Sequence, residues 1–277
     1  MSTPTASTFT LAKQKLDQQK PSVEEPAITF QKLSAAEPVK YYKVAIHGRP
    51  KSGKTRFGLT CPPPVYIIET EPGLRPLIKL FPNKEIYFVD VYTPDYSGVF
   101  ESDSTKTLSN IDAAVKLIRG MVAKDPSSVG TVVVDSVTDV YKWVMEWMKV
   151  EILKIDKTAR VRQQWDYQYS NSKYQNIIMQ LVALPTHLVI TAQDKEEYAG
   201  AGQPTGVYEP SWQWQTPQWV DIIMGLVKFR DPKTQCIEYT STIEDSRHMD
   251  EKLEPIAGIE IKNPTFDKLL EVLKKKV

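Results

Sequence analysis

The chain has 277 residues, 41% apolar and 25% charged, a globular balance with ample material for a buried core. Lysine and arginine number 35 against 34 acids, and the net charge of +1 excludes a uniformly basic nucleic-acid coat protein while leaving room for a local basic groove. No run reaches the roughly 18 apolar residues of a membrane span, the opening MSTPTASTFTLAKQKLDQQK lacks a signal-peptide apolar stretch, and Cys61 and Cys236 stand far apart. The expectation is a soluble, intracellular, cytoplasmic protein in a reducing setting, with no membrane partner.

Residues 1–40 are rich in Ser, Thr, Gln, Lys, Glu and Pro and hold too little apolar surface to offset ordering entropy, so they read as a flexible arm. Within them, Ile28 to Leu33 reads either as a strand or turn on its own domain or as an anchor on a neighbouring subunit. A single domain is expected over 41–277. Tyr42 to His47, Val65 to Ile68, Ile86 to Val89, Thr131 to Val134 and His187 to Thr191 read as short buried strands. Helical spacing marks Ile111 to Lys124, Asp139 to about Lys154, Ser170 to Leu184 and Thr265 to Lys275. Trp143 and Trp147, at i and i+4, form a core stripe. Residues 194–217 read as a long Gly/Pro/Gln/Trp-rich loop. Ile222 to Phe229 and Cys236 to Ile243 read as strands joined at Asp231-Pro232-Lys233. Apolar strands alternating with amphipathic helices predict an α/β fold: a mostly parallel central sheet flanked by helices, with an antiparallel hairpin at its C-terminal edge.

Gly48-Arg49-Pro50-Lys51-Ser52-Gly53-Lys54-Thr55 matches G-x-x-x-x-G-K-[ST], and a buried strand runs directly into it. The glycines let backbone N–H groups wrap a phosphate chain, Lys54 reaches the β- and γ-phosphates, and the Thr55 hydroxyl takes Mg²⁺. ATP and Mg²⁺ are therefore the expected ligands. The strand Thr131–Val134 ends in Asp135, the expected Mg²⁺ partner opposite Thr55. Ser136 follows it, where many P-loop ATPases place the water-activating glutamate. The strand Val65–Ile68 supplies a substitute at its end in Glu69 and Glu71, of which Glu71 is favoured as general base. His47 reads as structural.

The order of these segments, Gly48–Thr55, Thr70-Glu71, Val132–Ser136 and Thr191-Ala192-Gln193, resembles the RecA family of ATPases over roughly residues 42–245. Within it the chain looks most like the short, single-domain RecA-like proteins of phages and other viruses, associated with single-strand annealing and recombination. The resemblance implies Glu71 as base, Lys54 on the phosphates, Asp135 on the metal and Gln193 as γ-phosphate sensor. It also implies single-stranded DNA, a homo-oligomeric ring or filament, and a single-strand binding protein as partners. Two stretches fall where that family has DNA loops. Lys154 to Tyr174 mixes cations and aromatics, with Lys157, Arg160, Arg162, Trp165 and Tyr167 as DNA candidates; the alternative is a helical hairpin with core aromatics. Tyr198 to Trp219 is glycine-rich, with Trp212 and Trp214 expected on one face; with almost no positive charge, it reads equally as a partner-docking loop or a lid. Lys228 and Arg230, two apart in a strand, resemble the trans fingers of RecA-like helicases, against a solvated hairpin end. The competing functions are a helicase or motor subunit and a nucleotide-dependent assembly protein with weak hydrolysis.

Overall fold

The computed structural model describes residues 40–96, 102–199, 202–232, 234–250, 252 and 254–276. The expected arm, with Ile28 to Leu33, lies outside the described residues. The strands are β1 (Lys43–Gly48), β2 (Val65–Glu69), β3 (Ile86–Asp90), β4 (Thr131–Asp135), β5 (His187–Ala199), β6 (Gln203–Pro210), β7 (Ile222–Arg230), β8 (Ile237–Ser246) and β9 (Glu260–Lys262). The helices are α1 (Lys54–Thr60), α2 (Ser104–Lys124), α3 (Val137–Trp147), α4 (Tyr167–Val182) and α5 (Phe266–Lys276).

Among the described residues, one sheet runs in the order β3-β2-β4-β5-β1-β7-β8-β9, with β6 added to the far part of β5. Strands β3 to β7 along that order are parallel, and β8 and β9 close the edge antiparallel. The α/β sheet expected from the sequence, with its antiparallel C-terminal edge, is the sheet observed.

The all-apolar strands follow from two-sided burial. Alternate residues point to opposite faces. Ala45, Ile68, Val132, Val134, Leu188 and Ile190 pack under α2, α3 and α4. Val44, Ile46, Ile67, Val133 and Val189 pack on the other face with Phe57 of α1 and Phe266, Leu269 and Leu273 of α5. Helix α2 starts seven residues before the expected Ile111, because Asp103 caps it by accepting the Lys106 N–H. Its buried stripe is Leu108, Ile111, Val115, Ile118 and Val122. In α3, Trp143 is buried and Trp147 packs partly buried beside the same cluster. This helix ends at Trp147 and passes into a π turn, Met148–Ile152, short of the expected Lys154.

The segment after residue 194 differs from the expected loop. Strand β5 continues to Ala199 and folds back through β6 as an antiparallel arm, with Asp194 opposite Pro210, Glu196 opposite Tyr208 and Ala199 opposite Gln203. Gly202 and Gly206, at φ +74° and +75°, supply the left-handed positions the arm needs. Nor do Trp212 and Trp214 share a face. Trp212 packs edge-on against His47, and Trp214 is exposed. The segment leaves the strand conformation at Ser211, so alternation does not apply to it.

Candidate nucleotide-binding site

At the C-terminal ends of β1, β2, β4 and β5 the chain forms a cavity of about 550 Å³. Its lining includes Pro50 to Arg56, Glu71, Pro72, Gly73, Pro76, Leu77, Asp135, Ser136, Gln193 and Tyr239. Open parallel sheets place ligand sites at this edge.

The loop Gly48–Thr55 leaves β1 and enters α1 with Gly53 in the left-handed region at φ 102°. A Cβ on Gly48 would lie 2.4 Å from the Leu226 carbonyl oxygen, so only glycine passes there. Lys54 is buried, and its Nζ donates to the carbonyls of Gly48 at 2.7 Å and Arg49 at 3.0 Å. Burial lowers its proton affinity, against the pull of Asp135, Asp194 and Glu71. Ser52 Oγ is buried and finds no partner among the described residues. A buried ammonium and an orphaned hydroxyl in a cradle that a side chain would fill fit a phosphate chain.

Thr55 Oγ1 donates to Asp135 Oδ2 at 2.5 Å, and Thr191 donates its hydroxyl to the other carboxylate oxygen. Hard oxygens from a hydroxyl and a carboxylate are the donors Mg²⁺ prefers. At the end of β2 and two residues beyond it, Glu69 and Glu71 part company. Glu69 is buried, and its Oε1 accepts the N–H groups of Gly73 at 2.9 Å and Leu74 at 2.8 Å, which fixes the turn. Glu71 lies at the cavity rim, where Gln193 Nε2 donates to its Oε1 at 3.0 Å. Burial, then the nearby Asp139, raises its proton affinity above the ordinary carboxylate value; the Gln193 bond opposes this. Base and sensor candidates thus meet across the mouth of the cavity.

Several residues outside the sequence reading complete the site. Asp139 accepts the hydroxyls of Thr70 at 2.8 Å and Ser136 at 2.7 Å, tying the ends of β2 and β4 to the start of α3. Thr138 Oγ1 accepts the Gln193 N–H at 2.9 Å. The hydroxyl-rich run Ser136 to Asp139 was a usable signal for this pair. Tyr239, from β8, had none, because only the β7–β8 hairpin brings it to the loop. Behind the loop, His47 sits between Asp194 (Nδ1 to Oδ1, 2.8 Å) and Glu244 (Nε2 to Oε2, 2.8 Å). Arg49 lies with its guanidinium 3.7 Å from the Tyr208 ring centroid, linking the loop to the β5–β6 arm.

The DNA candidates divide. Arg160, Arg162 and Trp165 are exposed, and Tyr167 is half-buried at the start of α4. Lys157 is half-buried, donates to the Ser102 carbonyl at 2.7 Å and lies 3.9 Å from Glu146. Lys173 pairs with Asp112, and Tyr174 is fully buried, bonded to Thr216. Helix α4 turns those two inward or sideways, so the basic-aromatic stretch is shorter than the sequence suggested. Lys228 and Arg230 are exposed near the end of β7. Lys228 stands opposite Tyr239 across the ladder and therefore on the same face of the hairpin.

The fold and this cavity define a P-loop nucleotide-binding domain. A family model described as AAA domain matches residues 40–248, and the chain belongs to that family. Membership carries nucleotide-dependent activity of the NTPase kind, usually with Mg²⁺. No curated protein matches the chain. Among the described residues, no helix is long and apolar enough to cross a membrane.

Proposed function

We propose that the chain is a Mg²⁺-ATP-dependent, RecA-like ATPase that binds single-stranded DNA and supports recombination or strand annealing as an oligomer. The observation that supports it most is the convergence in one cavity of the Lys54 loop, the Thr55–Asp135 pair and the Glu71–Gln193 pair. Loop N–H groups and Lys54 hold the β- and γ-phosphates, for which Lys54 Nζ exchanges the Gly48 and Arg49 carbonyls for phosphate oxygens. Mg²⁺, held from Thr55 and Asp135, would neutralise phosphate charge when bound. Glu71 takes the proton of the attacking water, and its raised proton affinity suits that role. The Gln193 amide orients the Glu71 carboxylate.

For DNA, support comes from the exposed cations Arg160 and Arg162 beside the exposed Trp165, a charge-and-stack combination suited to single strands. Lys228 and Arg230, exposed at a hairpin end, suit contact with a neighbouring subunit's phosphates. Phosphate release and oligonucleotide binding across a salt series test the reading together. ATP-stimulated, salt-sensitive DNA binding is expected, weakened in Arg160→Ala/Arg162→Ala. No affinity for single strands with or without ATP refutes the DNA part.

Ser136 favours one second reading. Its hydroxyl is engaged by Asp139 at the position where many P-loop ATPases carry the base, which suits a nucleotide-dependent assembly protein with weak hydrolysis. Phosphate release equal to background in both wild type and Glu71→Gln would select it.

A further inference from the structure

The cavity extends beyond the phosphate loop, and its wall there is aromatic. Tyr239 packs on the backbone of Gly53: a Cβ on that glycine would lie 3.1 Å from the ring's Cδ1 and 3.4 Å from Cε1. The Arg56 guanidinium stands 5.4 Å from the same ring's centroid, within cation–π range. Pro72, Pro76 and Leu77 also line the cavity. The lining carboxylates and the amide have other partners, since Asp135 bonds Thr55 and Thr191, and Glu71 bonds Gln193. What is left for the rest of a nucleotide is the Tyr239 ring, the apolar Pro72, Pro76 and Leu77, and the cations Lys51 and Arg56, with no further carboxylate or side-chain amide to read a base edge. A volume of about 550 Å³ suits a nucleoside triphosphate.

We propose that Tyr239, backed by Arg56, is the nucleobase platform of this site, and that it takes purine nucleoside triphosphates by stacking, without discriminating adenine from guanine. This rests on the phosphate-loop reading given above and deepens it. Every base has a π-face, whereas strong selection between bases needs hydrogen-bonding groups whose loss of partner is costly. Stacking area then favours purines over pyrimidines.

The test is competition on the full chain with Mg²⁺ present, displacing a fluorescent ATP analogue with ATP, GTP, CTP, UTP and inorganic triphosphate. ATP and GTP are expected to compete within about threefold of each other, with CTP and UTP weaker, as stacking without edge readout requires. Tyr239→Ala should weaken ATP and GTP alike by about tenfold and leave triphosphate unchanged, the loss of one stacked base. Tyr239→Phe should recover most of that loss. A preference of either sign between ATP and GTP above about thirtyfold overturns the proposal, since stacking alone cannot supply it. So does a Tyr239→Ala protein that loses triphosphate as much as ATP, because the ring then only props Gly53, or one that keeps full ATP affinity. If wild type binds neither nucleotide nor triphosphate, the phosphate-loop reading itself falls. Thermal melts of Tyr239→Ala separate a folding defect from a lost contact.

Discussion

Replacing His47 by glutamine asks whether the ion triad behind the phosphate loop is charged in the fold. Burial alone would lower the imidazole's proton affinity, but the hydrogen bonds to Asp194 and Glu244 outweigh it and push the pKa up to about 9. Below the ordinary value of 6.5 the ring is protonated folded and unfolded, and the triad's contribution is complete. Between 6.5 and 9 the folded chain keeps a proton that the unfolded chain has lost. Stability therefore falls as pH rises, by about 1.4 kcal/mol per pH unit. Lys43 acts in the opposite sense. Burial lowers it from 10.5 to about 8, against the pull of Asp221, so above that pH the folded chain holds fewer protons and gains stability. The slopes cancel between 8 and 9, and the visible loss is confined to pH 6.5–8. That is about 2 kcal/mol at full strength. Glu244 is 46% exposed and screened by solvent, so about 1–2 kcal/mol is expected, or roughly 2–8 °C in Tm. On the acid side His187, lowered to about 4 by burial and then by Lys43, costs stability as pH falls below 6.5. Urea unfolding followed by tryptophan fluorescence from pH 6 to 8.5 reads all of this. His47→Gln should be less stable at pH 6.5, with the gap to wild type closing by about 1–2 kcal/mol at pH 8. Parallel curves for the two proteins would refute a charged triad.

Glu71→Gln should cut phosphate release by about 10²–10⁴-fold while ATP affinity stays within a few-fold, as rapid-quench and titration experiments can separate. Because burial and Asp139 raise the Glu71 pKa, the acid limb of the pH–rate profile should lie above the ordinary carboxylate value, and Asp139→Asn should move it down. Lys54→Ala should abolish nucleotide binding in calorimetry without lowering the Tm of the nucleotide-free protein, since it removes a buried cation whose proton affinity is already depressed. Gly225→Ala should destabilise by about 1–3 kcal/mol in urea unfolding. Its Cβ would lie 2.2 Å from Glu244 Oε1, so Glu244 must swing off His47 and the loss between pH 6.5 and 8 should shrink.

The parallel core was readable because strands buried on both faces must be apolar at every position, as Val44 to Ile46 and Val132 to Val134 are. The phosphate loop and the ends of β2, β4 and β5 were readable for a related reason: one sheet edge collects them, so strand order in sequence already implied their meeting. The β5–β6 arm was not. Its residues Asp194 to Glu197 are charged and poor strand formers; their pairing is set by the register that β5 carries out of the core. The burial of Tyr174 depends on which way α4 is rolled, and the capture of Lys157 on where the chain at Ser102 passes. Neither is a local property.

Gln193 and Asp194 are consecutive residues on one continuous strand, and they grip different things. Gln193 holds Glu71 at the cavity mouth, and Asp194 holds His47 beneath the loop. Arg49, lodged against Tyr208, clamps the returning strand to the same loop. The arm is therefore held at Asp194 to the strand that feeds the loop and at Tyr208 to the loop itself. A shift of that loop on filling the cavity would pass to the arm through these two contacts, so the pairing of Asp194 to Glu196 with Tyr208 to Pro210 is where it would register first.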